Sequence, residues 1–584
     1  MRGGLVNWRE WGADAFAEAA GQAKLVLLDI SAVWCHWCHV MDDTSYSDPE
    51  VSALINERFV PVRVDTDRMP DVNERYNMGG WPTTAVLTPT GEVLLGATYV
   101  PPDKLIETLT GLDQFYKENK DTVGARIAEL KAKKEGELSA LKAPPSSDVT
   151  SNIVSYVLEE LDRNYDPIHG GFGAEPKFPA PDAVELLLTS YRDTGRAQYL
   201  DMAEKTLVGM DSYGMYDHVM GGFFRYSVTR DWSVPHYEKM LDVNAGLIVN
   251  YINAYRVTGN GRFKDTAMRT LGYVDAWLWA DGGYFCGSQD ADEEYYKLSL
   301  EERGNKARPS VDVTMFTNLN ARMVDAYLTA WEVTGEDGYK EKALSALGFI
   351  LNNMKGDSGG FYHYYDGSPR RFGLLTDQSA MLKALLHAYL ITGDAKMFDE
   401  AFGLLAFMEA THWDKEIGGF YDLPEDPAPV SALAFRVKPM AENSEMARSL
   451  KALHALTGEA GYLDMAKGCL AQHAREYREY GFMAAGYALA VDYYLKPVFE
   501  VTVVGSSGGA DTEALARAAR AVLIPRGIVR VLDPDRDFEE IGRKGLQAAS
   551  RAAAYICTGS VCTARVEEPE ALRVKLSEAD VHAP

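Results

Sequence analysis

Two thiols and two imidazoles stand in the hexapeptide Trp34-Cys35-His36-Trp37-Cys38-His39. At that spacing such groups serve covalent haem attachment, zinc ligation or thiol–disulfide exchange. Cys35-His36-Trp37-Cys38-His39 matches the literal C-x-x-C-H of haem attachment, but that modification normally follows export. The opening stretch "MRGGLVNWREWGADAFAEAAGQ" reads as a short amphipathic helix and lacks a secretory apolar core. A structural zinc ion wants four ligands, commonly with a second pair at similar spacing. The other closely spaced cysteines, Cys557 and Cys562, lie near the opposite end of the chain. Redox exchange remains, with no metal and no cofactor expected. With six cysteines and no export signal, the chain is assigned to the cytoplasm, where a C-x-x-C is reactive chemistry and not a staple.

The elements that must position the motif support that reading. "KLVLLDI", residues 24 to 30, is a short apolar, β-branched run of the kind that forms a buried parallel strand. After the motif, "HVMDDTSYSDPEVSALINERF" reads as helical pieces broken by a turn. Cys35 then falls at a helix N-terminus, where the macrodipole and free N–H groups favour a thiolate. "VPVRVD" is a second strand, and "GGWPTTAVLTPTGEVLL" is a proline-led strand, a turn at Pro89 to Gly91 and another strand.

At this point the sequence resembles thioredoxin, and the resemblance implies Cys35 as the attacking thiolate and Cys38 as the resolving thiol. Asp29, six residues before Cys35, stands where thioredoxins carry a buried carboxylate and is implied to be a proton acceptor. Trp34 stands at the tryptophan before the motif. Trp81-Pro82 stands where the family has its cis-proline, so that Pro82 would shape the substrate groove. His36, beside the thiolate, would stabilise it when protonated and make the couple more oxidising.

The chain of 584 residues has room for several domains. Its net charge of −26, with no Lys/Arg run to track a phosphate backbone, argues against nucleic acid and anionic membranes as partners. No apolar run is long enough to span a bilayer. The thioredoxin-like domain is placed at 1–140 and a Pro/Ser linker at 141–149. Beyond it a repeat dictates the organisation. Thr-Gly-x3-[Tyr/Phe/Met]-x3-Ala-x3-Leu recurs from Thr194, Thr258, Thr334, Thr392 and Thr457. Thr-Gly ends one helix, and the apolar-Ala-Leu series is one face of the next. A second punctuation, Gly-Gly-aromatic, stands at Gly170-Gly171-Phe172, Gly221-Gly222-Phe223, Gly282-Gly283-Tyr284, Gly359-Gly360-Phe361 and Gly418-Gly419-Phe420. Five to six α-hairpins over 150–497 fit an open solenoid or a closed (α/α)6 toroid. The hairpin count and the gathering of polar segments after the glycine pairs favour the toroid, with a pocket on that rim.

The densest polar segment, 217 to 246, holds Asp217, His218, Arg225, Tyr226, Trp232, His236, Glu238, Lys239 and Asp242. Others supply Asp290 and Asp292, Asp377, and Asn443. Carboxylates, a histidine and aromatics together suit sugar chemistry, in which rings stack and acid–base pairs move protons. His236 and Glu238 are the catalytic candidates. "WCHWCHVM", "GGWP", "PKFP", "GGFFRYS", "VPHYEKML" and "QDAD" together resemble, over nearly the whole chain, the thioredoxin-domain family that includes the spermatogenesis-associated protein 20 group. That resemblance implies a thioredoxin-like domain followed by a toroid related to N-acylglucosamine 2-epimerases and six-hairpin glycosidases. Departures are Val243 at a usual Asp and Phe224 at a usual His. "PSVDVTMFTNLN" keeps Asp312 and Asn320 but lacks an Asp, a Lys and a Trp of the family pattern.

Residues 498–584 read as a small α/β domain, with strands at "FEVTVVG", "GIVRVL" and "AAYICTG". Cys557 and Cys562 flank a Gly-Ser turn and are expected to sit at an ordinary buried strand end. The fold class is therefore multidomain, α/β plus all-α. Three functions fit. The first is a thiol–disulfide oxidoreductase acting on a small molecule or a thiol/disulfide protein. The second is a carbohydrate epimerase, isomerase or glycosidase working in the toroid, and the third a binding protein without catalysis. Oligomeric state is left open.

Overall fold

A computed structural model describes residues 5–141, 148–547, 551–559, 561–562 and 565–578. Residues 142–147 of the expected linker lie outside the described residues. The chain forms two compact units: Met1–Pro144 with Asp422–Val437, and Pro145–Tyr421 with Lys438–Pro584.

The first unit runs α1 (Ala13–Gln22), β1 (Leu25–Ser31), α2 (His36–Asp43), α3 (Pro49–Arg58), β2 (Phe59–Asp65), α4 (Pro70–Tyr76), β3 (Thr83–Leu87), β4 (Val93–Ala97), α5 (Pro102–Glu118) and α6 (Lys120–Leu141). Its sheet has the order β2-β1-β3-β4, with β1 parallel to β2 and antiparallel to β3. Every residue of β1 is buried, which is why the strand reads as a near-continuous apolar run. Asp48 starts α3 by accepting the N–H groups of Glu50 and Val51, with Pro49 in the first turn. The segment Asp422–Val437 joins this unit through α4. Arg75 binds the Asp422 carboxylate at 2.6 Å and the carbonyl of Phe435 at 2.9 Å, and the Tyr76 hydroxyl lies 2.6 Å from Ser431 Oγ.

The second unit opens with helices that alternate between an outer and an inner layer. The outer ones are α7 (Ser151–Asn164), α9 (Ala197–Ser212), α11 (Gly261–Trp277), α13 (Asp337–Asn353), α15 (Ala395–Thr411) and α17 (Gly461–Ala471). The inner ones are α8 (Pro181–Thr194), α10 (Leu241–Thr258), α12 (Thr317–Thr334), α14 (Leu375–Thr392), α16 (Met440–Thr457) and α18 (Ala485–Leu495). Consecutive inner helices pack on one another, and α18 packs on both α16 and α8. The ring therefore closes, as an (α/α)6 toroid of six hairpins among the described residues.

Both sequence punctuations have a physical cause. At the C-termini of five inner helices the threonine hydroxyl donates to the carbonyl four residues back, as Thr194 does to Ser190, and accepts the N–H two residues on. The next glycine takes the left-handed conformation, Gly195 at φ 66° for example, and closes the helix. At the other rim four of the aromatic turns are each locked by an amide from the inner helix that follows. The N–H of Phe223 donates to Asn244 at 2.8 Å, and those of Phe285, Phe361 and Phe420 donate in the same way to Asn320, Gln378 and Asn443.

The unit ends in β8 (Phe499–Val504), α19 (Ala510–Arg520), β9 (Gly527–Leu532), α20 (Phe538–Arg543), β10 (Ala553–Thr558), β11 (Val561–Cys562) and α21 (Pro569–Glu578), with sheet order β9-β8-β10-β11. This layer seats on the Thr-Gly rim. Arg526 binds Asp193 at 2.8 Å and Asp492 at 2.7 Å, and the ring's apolar core continues into Ile528 of β9. Cys557 and Cys562 correct the sequence expectation, because they form a disulfide. They are register partners across the β10–β11 hairpin with Cα atoms 4.0 Å apart, a distance that only the pairing of the strands creates.

Candidate functional site

Cys35 is the N-cap of α2, and its sulfur accepts the N–H of Cys38 at 3.3 Å. Strand β1 ends four residues earlier and aims the chain into that helix start. Negative charge forming on Cys35 Sγ thus meets the positive end of a helix and a donor already in place. Cys35 is 5% exposed and Cys38 3%, so both cysteines are buried. Burial, and then the neighbouring Cys35, push the Cys38 thiol well up, which keeps its proton on in the resting state. Both cysteines are free thiols. Trp34 donates to Asp67 at 2.6 Å and meets Trp81 edge-on, with ring centroids 5.7 Å apart. The Trp81–Pro82 peptide is cis, and Pro82 is buried at the entry to β3. His36 is exposed and packs edge-on against Trp37, which is half-exposed beside Tyr99.

Asp29 is buried in β1 and pairs with Arg63. Burial raises its carboxyl to about 6, against the pull of Arg63, whose guanidinium binds it at 2.6 Å. Tyr46 is its other partner, and the same arginine reaches Asp42 on α2. Besides Cys35, the Ser31 side chain and the Ala32 backbone act on the Cys38 thiol.

In the toroid, several nominated residues are structural locks. Asp217 is buried, accepts the N–H groups of Val219 and Met220, and binds Lys239 and Arg303, each at 2.8 Å. Burial lowers Lys239 to about 8, against the pull of Asp217, and its ammonium also donates to the Gly221 carbonyl. Asp166 with Lys177 and Asp414 with Lys438 repeat this pair at two other glycine turns. Asn443 is an amide lock, and Asp377 is sealed against His363 at 2.9 Å. Trp232 is fully buried and donates to the His169 carbonyl. Asp292 caps a short helix, and exposed His218 contacts the Tyr213 carbonyl. These polar types were drawn to the rim by turn geometry, which sequence alone does not separate from a pocket.

Other nominees do converge on the rim. Tyr226 stacks between Phe178 and His236, with centroids at 4.5 and 4.4 Å, and the Arg225 guanidinium lies over its ring. His236 Nδ1 is 3.6 Å from Glu238 Oε1. Asp290 directly follows the short strand Ser288–Gln289 and accepts from the Ser310 hydroxyl. Asp242 is exposed in the first turn of α10.

The ring interior holds charges that the sequence reading missed. Arg322 on α12 reaches Glu445 on α16 at 4.0 Å, and Arg448 on α16 reaches Glu185 on α8 at 2.5 Å. These helices are not ring neighbours, so the pairs cross the lumen. Arg322 and Lys383 nevertheless remain 44% and 40% exposed, which makes the lumen an open, charged interior. Deeper, His387 lies 2.7 Å from Asp325 and 3.8 Å from Glu332. Burial alone would lower His387, but these two carboxylates outweigh it and hold the imidazole at about 9. Asp182 is raised by burial and then by Glu185, against Arg448 and Arg322.

Comparisons with known proteins agree with this anatomy. Residues 3–135 match the family described as Thioredox_DsbH, protein of unknown function DUF255. Its N-terminal domain is of that thioredoxin-like DsbH family. The human spermatogenesis-associated protein 20 is 25% identical over 97% of this chain and 89% of its own length. Thioredoxin-1 of Drosophila melanogaster is 31% identical over 12% of this chain and 61% of its own. Among solved structures, cellobiose 2-epimerase from Spirochaeta thermophila gives a TM-score of 0.48 at 18% identity, covering 60% of this chain and 96% of that one.

The departures from the relatives' pattern have packing explanations. Phe224 is buried between Tyr237 and Tyr296, with centroids at 5.0 Å from each, and Val243 packs on the ring core. A usable signal for the lumen was present. Asp182/Glu185, Arg322/Asp325, Lys383/His387 and Glu445/Arg448 are charged or titratable pairs three or four apart, one on each of four inner helices, which marks a recurring stripe. No helix among the described residues is long and apolar enough to cross a membrane.

Proposed function

We propose that the protein is a thiol–disulfide oxidoreductase acting through Cys35 and Cys38 on a disulfide-bearing partner in the cytosol. The observation that carries this reading is the cap geometry, in which Cys35 Sγ faces the Cys38 N–H at the start of α2 and the second thiol is buried behind it. The Cys35 thiolate attacks one sulfur of the substrate disulfide. A Cys35–substrate bond forms, the substrate S–S bond breaks, and the other sulfur leaves as a thiolate that takes a proton. Cys38 then gives up its proton and attacks Cys35 Sγ. The mixed disulfide breaks, Cys35–Cys38 forms, and two electrons have passed to the substrate. Equilibration against glutathione redox buffers, with alkylation of free thiols and mass readout, tests the cycle. A pair that stays fully reduced across the whole buffer range would refute it.

A second reading, carbohydrate binding at the toroid rim, is favoured by the Phe178–Tyr226–His236 stack. Phe178 leaves 52% of its surface open, which suits the apolar face of a sugar ring. A panel of monosaccharides read by thermal shift tests it, with Phe178→Ala expected to abolish any response.

A further inference from the structure

The rim carries a set of buried oxygens with nothing to accept from. Three short strands, β5 (Lys239–Met240), β6 (Ser288–Gln289) and β7 (Val311–Asp312), pair antiparallel in the order β7-β6-β5. Ser288 is opposite Met240 on one side and Asp312 on the other, while Gln289 is opposite Lys239 and Val311. Directly opposed residues share a face and alternate residues change it. Ser288, Asp312 and Glu238, two residues before Met240, therefore stand on one face, and Lys239 projects to the other, where Asp217 consumes it. On the shared face Glu238 Oε2, Ser288 Oγ and Asp312 Oδ2 have no hydrogen-bond partner. Glu238 is 2% exposed and Ser288 1%, while His236 and Asp312 keep some exposure at the opening. Buried acceptors left without donors are costly, and several on one face point to a ligand that supplies the donors.

The chemistry of the set narrows that ligand. Glu238 and Asp312 are acids, Asp290 adds a third nearby, and the other Glu238 oxygen lies 3.6 Å from the His236 imidazole. A phosphate or uronate would be repelled here. Among the described residues no three His, Cys, Asp or Glu side chains converge as a metal site, so the acceptors are too spread for one ion. An extended donor array fits, in which an ammonium meets the buried carboxylates and hydroxyls reach Ser288.

We propose that this rim face binds an aminated polyol, a free amino sugar being the representative class. The proposal rests on the carbohydrate reading of the rim and adds the amine to it. Titration calorimetry on the full chain with D-glucosamine, D-glucose, N-acetyl-D-glucosamine and D-glucosamine 6-phosphate tests it. Glucosamine is expected to bind about tenfold or more tighter than each of the others, the size of one charge-assisted hydrogen bond. Glu238→Gln should erase that preference, bringing glucosamine to the affinity of glucose. Asp312→Asn should halve the preference or more, and circular dichroism checks that both variants fold. If glucosamine and glucose bind alike, and Glu238→Gln changes neither, the amine proposal is overturned while the sugar reading stands. If none of the four binds, both fall together.

Discussion

The chain folds one sheet topology twice. The order β2-β1-β3-β4 of the first unit recurs as β9-β8-β10-β11 near the C-terminus, with the same parallel and antiparallel senses. Each sheet also buries an arginine on its outer parallel strand between two acids. Arg63 is held by Asp29 and Asp42, and Arg530 by Glu540 and Glu500. What differs is the crossover from the central strand to its helix. In the first sheet it carries Cys35, with Pro82 at the start of β3. In the second it is Gly505-Ser506-Ser507-Gly508-Gly509, and Ala552 precedes β10. The second sheet's cysteines sit instead in the β10–β11 hairpin and are bonded to each other. A fold supplies positions and not chemistry. The first sheet places a nucleophile where a helix begins, and the second uses its surface to seat on the ring.

The largest effect that separates the two sheets is on exchange activity. Cys35→Ser is expected to lower reduction of a disulfide substrate such as insulin by on the order of a hundredfold or more, whereas Cys557→Ser with Cys562→Ser leaves the rate unchanged. Equal losses in both variants would erase the contrast. Next come the two buried arginines. Arg63→Met leaves Asp29 buried without its cation and is expected to cost about 3–5 kcal/mol in denaturant unfolding, whereas Arg530→Met should cost less, because Lys544 still holds Glu500 at 2.7 Å. Only Arg63→Met should also slow exchange, because Arg63 also holds Asp42 of α2, the helix that Cys35 caps.

The seat of the second sheet on the ring is tested by pH. His387 is raised from 6.5 to about 9 between Asp325 and Glu332, and Glu332 also faces Arg520 of α19 at 3.8 Å. A raised histidine stabilises the fold fully below its unfolded value near 6.5 and loses that contribution as pH rises through about 9. The loss is about 3 kcal/mol at most, read as a fall in melting temperature between these pH values that His387→Gln lacks. The smallest effect is the disulfide. Opening its short loop by Cys557→Ala with Cys562→Ala should cost about 2 kcal/mol, with no change at Cys35. A stability loss much larger than this would mean that the hairpin holds the whole layer on the ring.

Much of the fold was legible in local pattern. The apolar run of β1, the Thr-Gly closures and the glycine-pair turns are short-range consequences of strand burial and left-handed helix caps, so they announce themselves along the chain. The dithiol was legible for the same reason, since its nucleophile, its donor and its helix start lie within four residues. The toroid's polar residues were legible as a group but not by role. Asp217, Lys239 and Asn443 look like pocket residues until one sees that each satisfies a buried turn.

What the residue order determined by itself, then, is every feature built from neighbours: the strand that leads to Cys35, the helix that starts there, and the recurring rhythm of hairpins. What only tertiary structure decided is every feature built across distance. Arg322 meeting Glu445, Asp29 turning to Arg63, Cys557 bonding to Cys562 and Glu238 left without a donor all depend on ring closure and strand register. Electrostatic and hydrogen-bond energies act through space over a few ångströms, and that closeness is set by how elements pack and not by their separation along the chain.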